Sequence, residues 1–558
     1  MSQSSFFAQT GLIVLLAVIA VAAVVYALVR SRRKFRERIE AQFGQIPKGA
    51  DDALLAQLAA IWRLRHSHAS GAHYIDDMTW NDLDMDRVFA RINACHTSVG
   101  EECLYSLLHS PSMDDAPLRE REALLRLLDE HPDLRLKLQV ILTRMGKSPA
   151  SGLLSFGYEA ASKQLKYPAL YTILTFVPLL CTGLFFVNWA TGLFAVLLSL
   201  VVNIVVYSFT KVVIDRELAA LRYFSTLLWC AKKICRLNLS PEITAELSVH
   251  LRVFKKVAGK ISSISKDRLS DADMFFDYLR VPFLSDIRNY NKALTLIEKN
   301  ADAFRALYEH VGALDAAVTI LSFRKSLPHW CCPEFTDERA IIAEGIYHPL
   351  LNTPVPNDAH ISRGCLVSGS NASGKSTYIK ALAVNGIFAQ TIHTCTAHSF
   401  HTPLALVMTS MAVRDDIAAG ESYFITEIKS LRRILNAVQE QYCVCYIDEI
   451  LKGTNTIERI AASAAVLNFL GAQPCLCVAA THDIELTRML AERFDNCHFA
   501  EQITDEGMCF DYRIKPGPSN TRNAIRLLDY MKFDAHIVDE AQRMVKDFEQ
   551  TGSWSTPR

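Results

Sequence analysis

The stretch Cys365-Leu366-Val367-Ser368-Gly369-Ser370-Asn371-Ala372-Ser373-Gly374-Lys375-Ser376-Thr377 decides the fold of the C-terminal part of this 558-residue chain. Its first three residues are an apolar run typical of a buried strand, and the residues after Ser376 are typical of a helix. The glycines allow the intervening loop to turn successive backbone N–H groups inward around an anion at the helix N-terminus. The stretch therefore contains the pattern G-x-x-x-x-G-K-[ST] in the strand–loop–helix context that a nucleotide-phosphate site requires.

This pattern predicts an ATP site with bound Mg²⁺. Lys375 is expected to reach the β- and γ-phosphates, and the Ser376 hydroxyl is expected to bind Mg²⁺. The predicted ATP-binding residues of the loop and the helix start are Gly369, Ser370, Asn371, Ala372, Ser373, Gly374, Lys375, Ser376 and Thr377.

Two later apolar runs, residues 442–447 and 475–480, read as further strands that end in polar residues. The first is followed by Asp448, the predicted second Mg²⁺ ligand, and by Glu449, the predicted general base for water. The second is followed by Thr481 and His482, and we expect His482 to sense the γ-phosphate or to orient the attacking water. The alternatives are a solvated acidic loop for the first pair and an ordinary loop histidine for His482.

Three uncharged apolar runs predict membrane spans, at residues 11–28, 168–186 and 191–209. The last two are separated by a short segment around Asn188 and Trp189, which predicts a helical hairpin. The first could also be a signal sequence, but its basic residues follow the run instead of preceding it. The alternative for the hairpin is a buried pair of helices inside a soluble domain.

Basic residues lie next to these runs, and their positions place them all on one side of the membrane. Arg30, Arg32, Arg33, Lys34, Arg36 and Arg38 follow the first run, and Lys163, Lys166 and Lys211 flank the hairpin. Since such residues stay cytoplasmic, we expect a multi-pass protein of the cytoplasmic (inner) membrane, with the ATP site in the cytoplasm and the lipid bilayer as a partner.

The composition gives no net positive charge that would attract nucleic acid to the whole protein, since 59 Lys and Arg balance 59 Asp and Glu. The 15 cysteines contain no C-x-x-C pair, which favours buried thiols in a reducing compartment over disulfides. The densest ligand-like cluster is His393, Cys395, His398 and His401. Its spacing matches no zinc-finger pattern, so we expect ordinary strand and loop residues there.

The remaining chain is mostly helical by its apolar spacing of three and four residues. We therefore expect five regions: a transmembrane anchor with a basic segment (1–38), a first helical region (39–162), a transmembrane hairpin (163–211), a second region of long helices (212–335) and an α/β domain (336–558).

Four segments in this order and spacing resemble the ATPase domain of the MutS family: GSNASGKST (369–377), RDDIAAGESYFITEI (414–428), YIDEILKGTNTIERIAASAAVL (446–467) and AATHDIELT (479–487). The resemblance extends to Tyr347-His348-Pro349 and Asn357-Asp358, and weakly to residues 76–101, which are similar to the start of the MutS core. It implies an ABC-like P-loop NTPase domain, C-terminal to an all-α core with lever helices, in addition to the three transmembrane helices predicted above.

The resemblance also implies site residues and partners. Two ATPase domains would pair in a homodimer, with Ser422 meeting the γ-phosphate bound by the other subunit. His348 would lie at the nucleotide, and residues 534–548 are similar to the family's dimerising helices. Binding of mismatched or branched DNA would be inherited from the same family.

Departures from the family leave three functions open. The segment before the core is too short for the family's mismatch-reading domain, and a membrane hairpin within the core is unusual, which puts mismatch repair itself in doubt. The leading hypothesis is a membrane-anchored ATPase that binds DNA. The alternatives are a transport-linked ATPase of the ABC class, although an LSGGQ-type signature is absent, and a membrane interaction module that ATP switches.

Overall fold

The computed structural model describes residues 3–68, 73–148, 152–264, 281–370, 373–411, 423–452, 454–504, 507–519, 524–554 and 556. The chain divides into two compact units. Unit 1 comprises Met1–Ser70, Ile92–Ser106 and Ala123–Ser326, and unit 2 comprises Gly71–Arg91, Leu107–Glu122 and Leu327–Arg558. Two parts of the first helical region expected from the sequence thus group with the α/β domain.

The helices before the first strand are α1 (Gln3–Gln42), α2 (Asp52–Ser67), α3 (Asp77–Asp82), α4 (Met85–Ile92), α5 (Ser98–His109), α6 (Asp115–Glu130), α7 (Pro132–Met145), α8 (Ser155–Glu159), α9 (Pro168–Cys181), α10 (Trp189–Cys235), α11 (Pro241–Ile264), α12 (Ser285–Lys299) and α13 (Ala301–Lys325), with a 3₁₀ turn at Thr182–Phe186. The later helices are α14 (Lys375–Thr391), α15 (Tyr423–Glu440), α16 (Thr456–Ala472), α17 (Ile484–Met489), α18 (Ala524–Tyr530) and α19 (Ala535–Thr551). This confirms the predicted helical character of the region before the α/β domain.

Three helical segments of unit 1 are long and apolar enough to cross a membrane: Leu15–Gln42, Pro168–Phe186 and Trp189–Cys235. They overlap the three apolar runs that the sequence predicts. Their large apolar side chains are mostly exposed, among them Leu16, Val21, Phe176, Leu197 and Val201. An apolar surface of this extent is unfavourable in water, so the exposure fits helices that meet lipid.

A polar contact joins the two helices of the hairpin. Pro178 lies inside α9 and has no N–H, so the carbonyl of Leu174 one turn earlier loses its helical partner. The side-chain amide of Asn203 on α10 donates to this carbonyl at 2.9 Å and to the carbonyl of Pro282 at 2.8 Å. Asn203 is almost fully buried, and its amide replaces the hydrogen bond that proline removes.

The core of unit 1 lies where α10 continues past the apolar hairpin. Its last turns bury Leu221, Phe224, Leu227 and Ile234, and α10 packs there against α11 and α7. Phe224 contacts Phe254 of α11 edge-on, with ring centroids 5.3 Å apart. One continuous helix thus runs from the apolar hairpin into the helical core.

Unit 2 is built on two sheets formed by β1 (Glu334–Phe335), β2 (Ile341–Ile346), β3 (Asn357–Ile361), β4 (Gly364–Ser368), β5 (Ser399–Thr402), β6 (Leu406–Ser410), β7 (Cys443–Asp448), β8 (Leu476–Thr481), β9 (Phe494–Thr504) and β10 (Gly507–Pro516). The smaller sheet has the order β1-β5-β2-β3, and the larger has the order β10-β9-β4-β8-β7-β6. In the larger sheet all neighbours are parallel except β10 and β9.

The parallel strands explain the apolar runs in the sequence. Along β4 every residue is buried, as is nearly every residue of β7 and β8, because a parallel sheet has helices on both faces. All three strands lie where the sequence predicts them, and α14 follows β4 as expected. The mixed α/β character of the C-terminal domain is therefore confirmed.

Residues from the N-terminal half also belong to unit 2. Asp82, at the end of α3, accepts hydrogen bonds from the Thr409 hydroxyl at 2.7 Å and from the Met411 N–H at 3.0 Å. Arg433 of α15 pairs with Asp76 in the same region. These side-chain contacts attach the end of β6 to the region around α3. The sequence pattern does not predict contacts between segments so far apart in the chain.

Candidate functional site

The ends of three neighbouring strands bring the predicted site residues together. In the larger sheet Ser368 of β4 is paired with Thr481 of β8, and Asp448 of β7 is paired with Ala480 of β8. The segments that leave these strands therefore start side by side at one edge of the sheet. Ligands of open α/β sheets bind at this carboxyl edge.

The segment between β4 and α14 has the backbone of an anion-binding loop. Gly369 and Gly374 have φ values of 141° and 109°, in a region that L side chains rarely adopt. A Cβ atom at Gly369 would lie 2.7 Å from the carbonyl oxygen of Phe499, so no larger residue fits there. Asn371 and Ala372 lie outside the described residues.

Lys375 is the first residue of α14, and its side chain turns back over the loop. The residue is buried, and its Nζ donates to the carbonyl oxygens of Gly369 and Ser370, both at 2.7 Å. The helix N-terminus adds partial positive charge, since its first N–H groups lack helical acceptors. An ammonium group beside a helix N-terminus suits a phosphate.

The Asp448 side chain fits a cation ligand. Its Oδ1 atom is buried and accepts no hydrogen bond from the described part of the chain. A buried carboxylate oxygen without a donor is unfavourable unless it binds a cation. Ser376, the other predicted Mg²⁺ ligand, directly follows Lys375 on α14, and hard oxygen donors of this kind are the ones that Mg²⁺ prefers. The donor atoms therefore fit the predicted ion.

Glu449 is held by two cationic or hydrogen-bonding neighbours. Its Oε1 lies 2.6 Å from Nε2 of His482, and its second oxygen forms an ion pair with Lys452. The hydrogen bond from His482, assisted by Lys452, lowers the pKa of Glu449 to about 2 although partial burial opposes this shift. Glu449 is therefore ionised at neutral pH and is a hydrogen-bond acceptor for water.

The backbone at Glu449 is strained. Its φ is 55° and that of Leu451 is 56°, in the left-handed region where non-glycine residues cost about 1–3 kcal/mol. The N–H of Glu449 still bonds to the carbonyl of Ala480 on β8 at 3.2 Å. The strained turn thus stays attached to the sheet edge while it directs the carboxylate toward His482.

Glu427 of α15 supports this turn and was not predicted as a site residue. Its Oε1 accepts the backbone N–H groups of Leu451 and of Lys452, the latter at 3.4 Å. Burial raises the pKa of Glu427, and the nearby Glu449 carboxylate adds to this effect. Glu427 lies inside the segment 414–428 that resembles the family, but its contact with residues 451 and 452 depends on the fold.

A cavity of about 420 Å³ opens beside the loop, within the range of about 300–1,000 Å³ that small-molecule sites occupy. Its lining includes Lys375, Ser376, Thr377, His348 and Tyr512. Burial and the charge of Lys380 lower the pKa of His348 to about 4, so its imidazole is neutral. Its Nε2 has no hydrogen-bond partner in the described structure, which leaves it available to a ligand.

The structure thus places the described site residues in two adjoining groups. Lys375 joins them, because its Nζ is 3.5 Å from Nε2 of His482 and its side chain also lines the cavity of about 420 Å³. His348 belongs to the cavity and has no described contact with Glu449. Ser422 lies outside the described residues, and its predicted role in the partner subunit remains a prediction.

Comparison with known proteins agrees with this geometry. Residues 365–549 match MutS domain V. The chain is 29% identical over 262 residues to the DNA mismatch repair protein MutS of a Synechococcus species, an alignment that covers 45% of this chain and 28% of that protein. It is 28% identical over 254 residues to the protein of the same name from Thermus thermophilus, covering 44% of this chain and 31% of that protein. The chain thus spans less than a third of the length of these relatives.

Proposed function

We propose that this chain is a member of the MutS family through the match of residues 365–549 to MutS domain V, and that it is a P-loop ATPase that binds ATP and Mg²⁺ at the edge of the larger sheet. The observation that carries the proposal is the convergence of three groups on one point. They are the cationic loop with Lys375, the Asp448 oxygen that accepts no hydrogen bond among the described residues, and the ionised Glu449 beside His482.

Each residue has a distinct part in the proposed hydrolysis. Lys375 exchanges its bonds with the loop carbonyls for the β- and γ-phosphates, and the loop N–H groups hold the same anion. Ser376 and Asp448 would hold Mg²⁺, and the bound ion would neutralise phosphate charge. Glu449 accepts a proton from water, and His482 orients the Glu449 carboxylate through the 2.6 Å contact.

Phosphate binding at Lys375 also affects His482. At 2.6 Å from a carboxylate, Nε2 of His482 must carry the hydrogen, so His482 donates to Glu449. Movement of the Lys375 ammonium group toward phosphate changes the charge next to this donor. The hydrogen bond from His482 to the Glu449 carboxylate thereby depends on whether phosphate is bound at Lys375.

We infer the assembly and the partners from the family. Two chains form a homodimer in which Ser422 completes the other subunit's site. The dimer acts on DNA, and this part of the proposal is supported by relatives that are named DNA mismatch repair proteins. The three apolar helices anchor the protein in the cytoplasmic membrane as a multi-pass protein with the ATPase domain in the cytoplasm.

Hydrolysis of ATP by the purified full-length protein in detergent tests the enzymatic proposal, with Glu449→Gln as the inactive control. Duplex and mismatched DNA are then added over a series of salt concentrations. Binding that weakens with salt supports the DNA role, because phosphate contacts release counterions. Hydrolysis without DNA binding at any salt concentration would leave the ATPase and remove the DNA role.

A further inference from the structure

A second cluster of metal-type donors lies in unit 2, away from the residues assigned to ATP. Glu122, Cys332 and His393 each place a donor atom within 4.8 Å of the other two. They come from three separate segments: α6, the segment just before β1, and the residues just after α14. Spacing along the sequence could not reveal them, because they are up to 271 positions apart.

The donors lie close enough for one ion. In a tetrahedral zinc site with bonds of about 2.0–2.3 Å, neighbouring donors are about 3.3–3.8 Å apart. The Oε2 atom of Glu122 and the Nδ1 atom of His393 are 3.2 Å apart, and a side-chain movement of about 1 Å brings the Cys332 sulfur into range. The donor atoms are therefore within about 1 Å of the spacing of a tetrahedral site.

The burial and charge of the cluster also favour an ion. Glu122 and His393 are buried, with side chains only 7% and 9% exposed, and Cys332 is a partly buried thiol. A Cys thiolate and a Glu carboxylate would together balance the two positive charges of a divalent cation. A buried site of zero net charge avoids most of the cost of burying its charged members one by one.

The chemistry of the three donors selects the metal. Thiolate is a soft donor that Mg²⁺ and Ca²⁺ do not take, and imidazole and carboxylate are common partners of thiolate around Zn²⁺. His393 has a φ of 51°, an unfavourable conformation for a non-glycine residue, just after α14.

We propose that Glu122, Cys332 and His393 form a zinc site, separate from the Mg²⁺ site at Asp448, with a fourth position for water. The other members of the histidine-rich segment have different contacts. His398 stacks on His329 at 3.9 Å, His401 contacts Glu334 at 3.3 Å, and Cys395 forms a backbone bridge with Cys331. We keep the prediction of ordinary residues for these three, and the proposal departs from that prediction only at His393.

The test uses the full-length protein in detergent, without nucleotide, after removal of metal by a chelator. Zn²⁺ or Co²⁺ alone is the probe. We expect stoichiometric binding, and with Co²⁺ an absorption band from thiolate-to-metal charge transfer. Cys332→Ser should abolish the band and weaken zinc binding at least about 10-fold. The matched control, Cys331→Ser, changes the adjacent cysteine and should keep both.

A measurement on the unmodified protein covers the case in which Cys332→Ser does not fold. Zinc should slow alkylation of Cys332 and leave that of Cys331 unchanged, as read by fragment mass spectrometry. Asp448→Asn should bind zinc as the unmodified protein does, which separates this site from the Mg²⁺ site. A cobalt complex without the charge-transfer band, or equal protection of both cysteines, would overturn the proposal.

Discussion

The Glu449 carboxylate accepts a hydrogen bond from Nε2 of His482 at 2.6 Å, across the ends of two neighbouring parallel strands. Neither residue could make this contact from a more distant strand. The contact between Glu449 and His482 therefore depends on β7 and β8 being neighbours in the sheet. Glu449 contacts His482 and Lys452, whereas Lys375, the proposed phosphate ligand, contacts the loop carbonyls and lies 3.5 Å from His482.

Mutations of Lys375 and of Glu449 should fail differently. Lys375→Ala should lose ATP affinity together with turnover, because it removes the cation at the loop. Glu449→Gln keeps the size of the side chain but not its basicity, so ATP should bind while hydrolysis falls by about 10²-fold or more. Nucleotide affinity and single-turnover hydrolysis separate the cases. A Glu449→Gln protein that hydrolyses ATP at the unmodified rate would remove Glu449 from the mechanism.

Glu427 should act on turnover through the strained turn. Glu427→Ala removes the acceptor for two backbone N–H groups, and we expect kcat to fall about 10- to 100-fold with KM nearly unchanged. Glu427→Gln keeps an acceptor oxygen and should recover most of the loss. Glu440→Ala, at an exposed position of the same helix, is the control and should have no effect. A rise in KM alone would contradict a positioning role.

The pH dependence of stability should show the depressed pKa of Glu449. Because its pKa in the folded protein is about 2, below the ordinary 4.5, ionisation stabilises the fold fully above about pH 4.5. This contribution is lost as the pH falls toward 2. The Tm difference between the unmodified protein and Glu449→Gln should thus be constant from about pH 5 to 8 and should change only below that range. A difference that varies near neutral pH would indicate that Glu449 titrates there.

The role of Ser422 in the partner's site is tested by mixed dimers. A bulky residue at Ser422 should reduce hydrolysis and leave ATP binding nearly intact, because the proposal assigns this residue to the other subunit's nucleotide. Dimers of a Ser422 variant with a Lys375 variant retain one composite site with both residues intact. Recovery of activity on mixing is expected, and no recovery would show that the assignment is wrong.

The Asn203 contact should stabilise the hairpin in a way that depends on Pro178. Asn203→Leu removes two hydrogen bonds and should lower the free energy of unfolding in detergent by about 1–3 kcal/mol. In a Pro178→Ala protein the Leu174 carbonyl regains a helical N–H, so the same substitution should cost less. Equal costs in both backgrounds would show that Asn203 does not compensate for the proline.

The sequence predicts most of the candidate site because its signals are local. The glycines and Lys375 stand in one short segment, and Asp448 and His482 directly follow apolar strands. Contacts between distant segments carry no such signal. The support that Glu427 gives to residues 451 and 452, the Asn203 bond to Leu174 and the grouping of Glu122 with His393 each depend on packing that one sequence does not show.

The division of the chain illustrates the same limit. Helical periodicity assigns residues 71–91 and 107–122 to one helical region with their neighbours, yet both group with the α/β domain. Polar contacts such as those of Asp82 with Thr409 and Met411 account for this. Periodicity reports which face of a helix is buried, but it does not report which partner buries it.

The unbroken course of α10 has a mechanical consequence. Its 47 residues span about 70 Å, and after Gly192 it contains neither glycine nor proline to act as a joint. Its first half is apolar and exposed, and its second half forms the core of unit 1. If a bilayer holds the first half of α10, a change in the thickness or tension of that bilayer would tilt the helix. Because the helix is stiff, the tilt would also move the folded core at its other end. The protein would then respond to the thickness or tension of its membrane without binding a specific lipid.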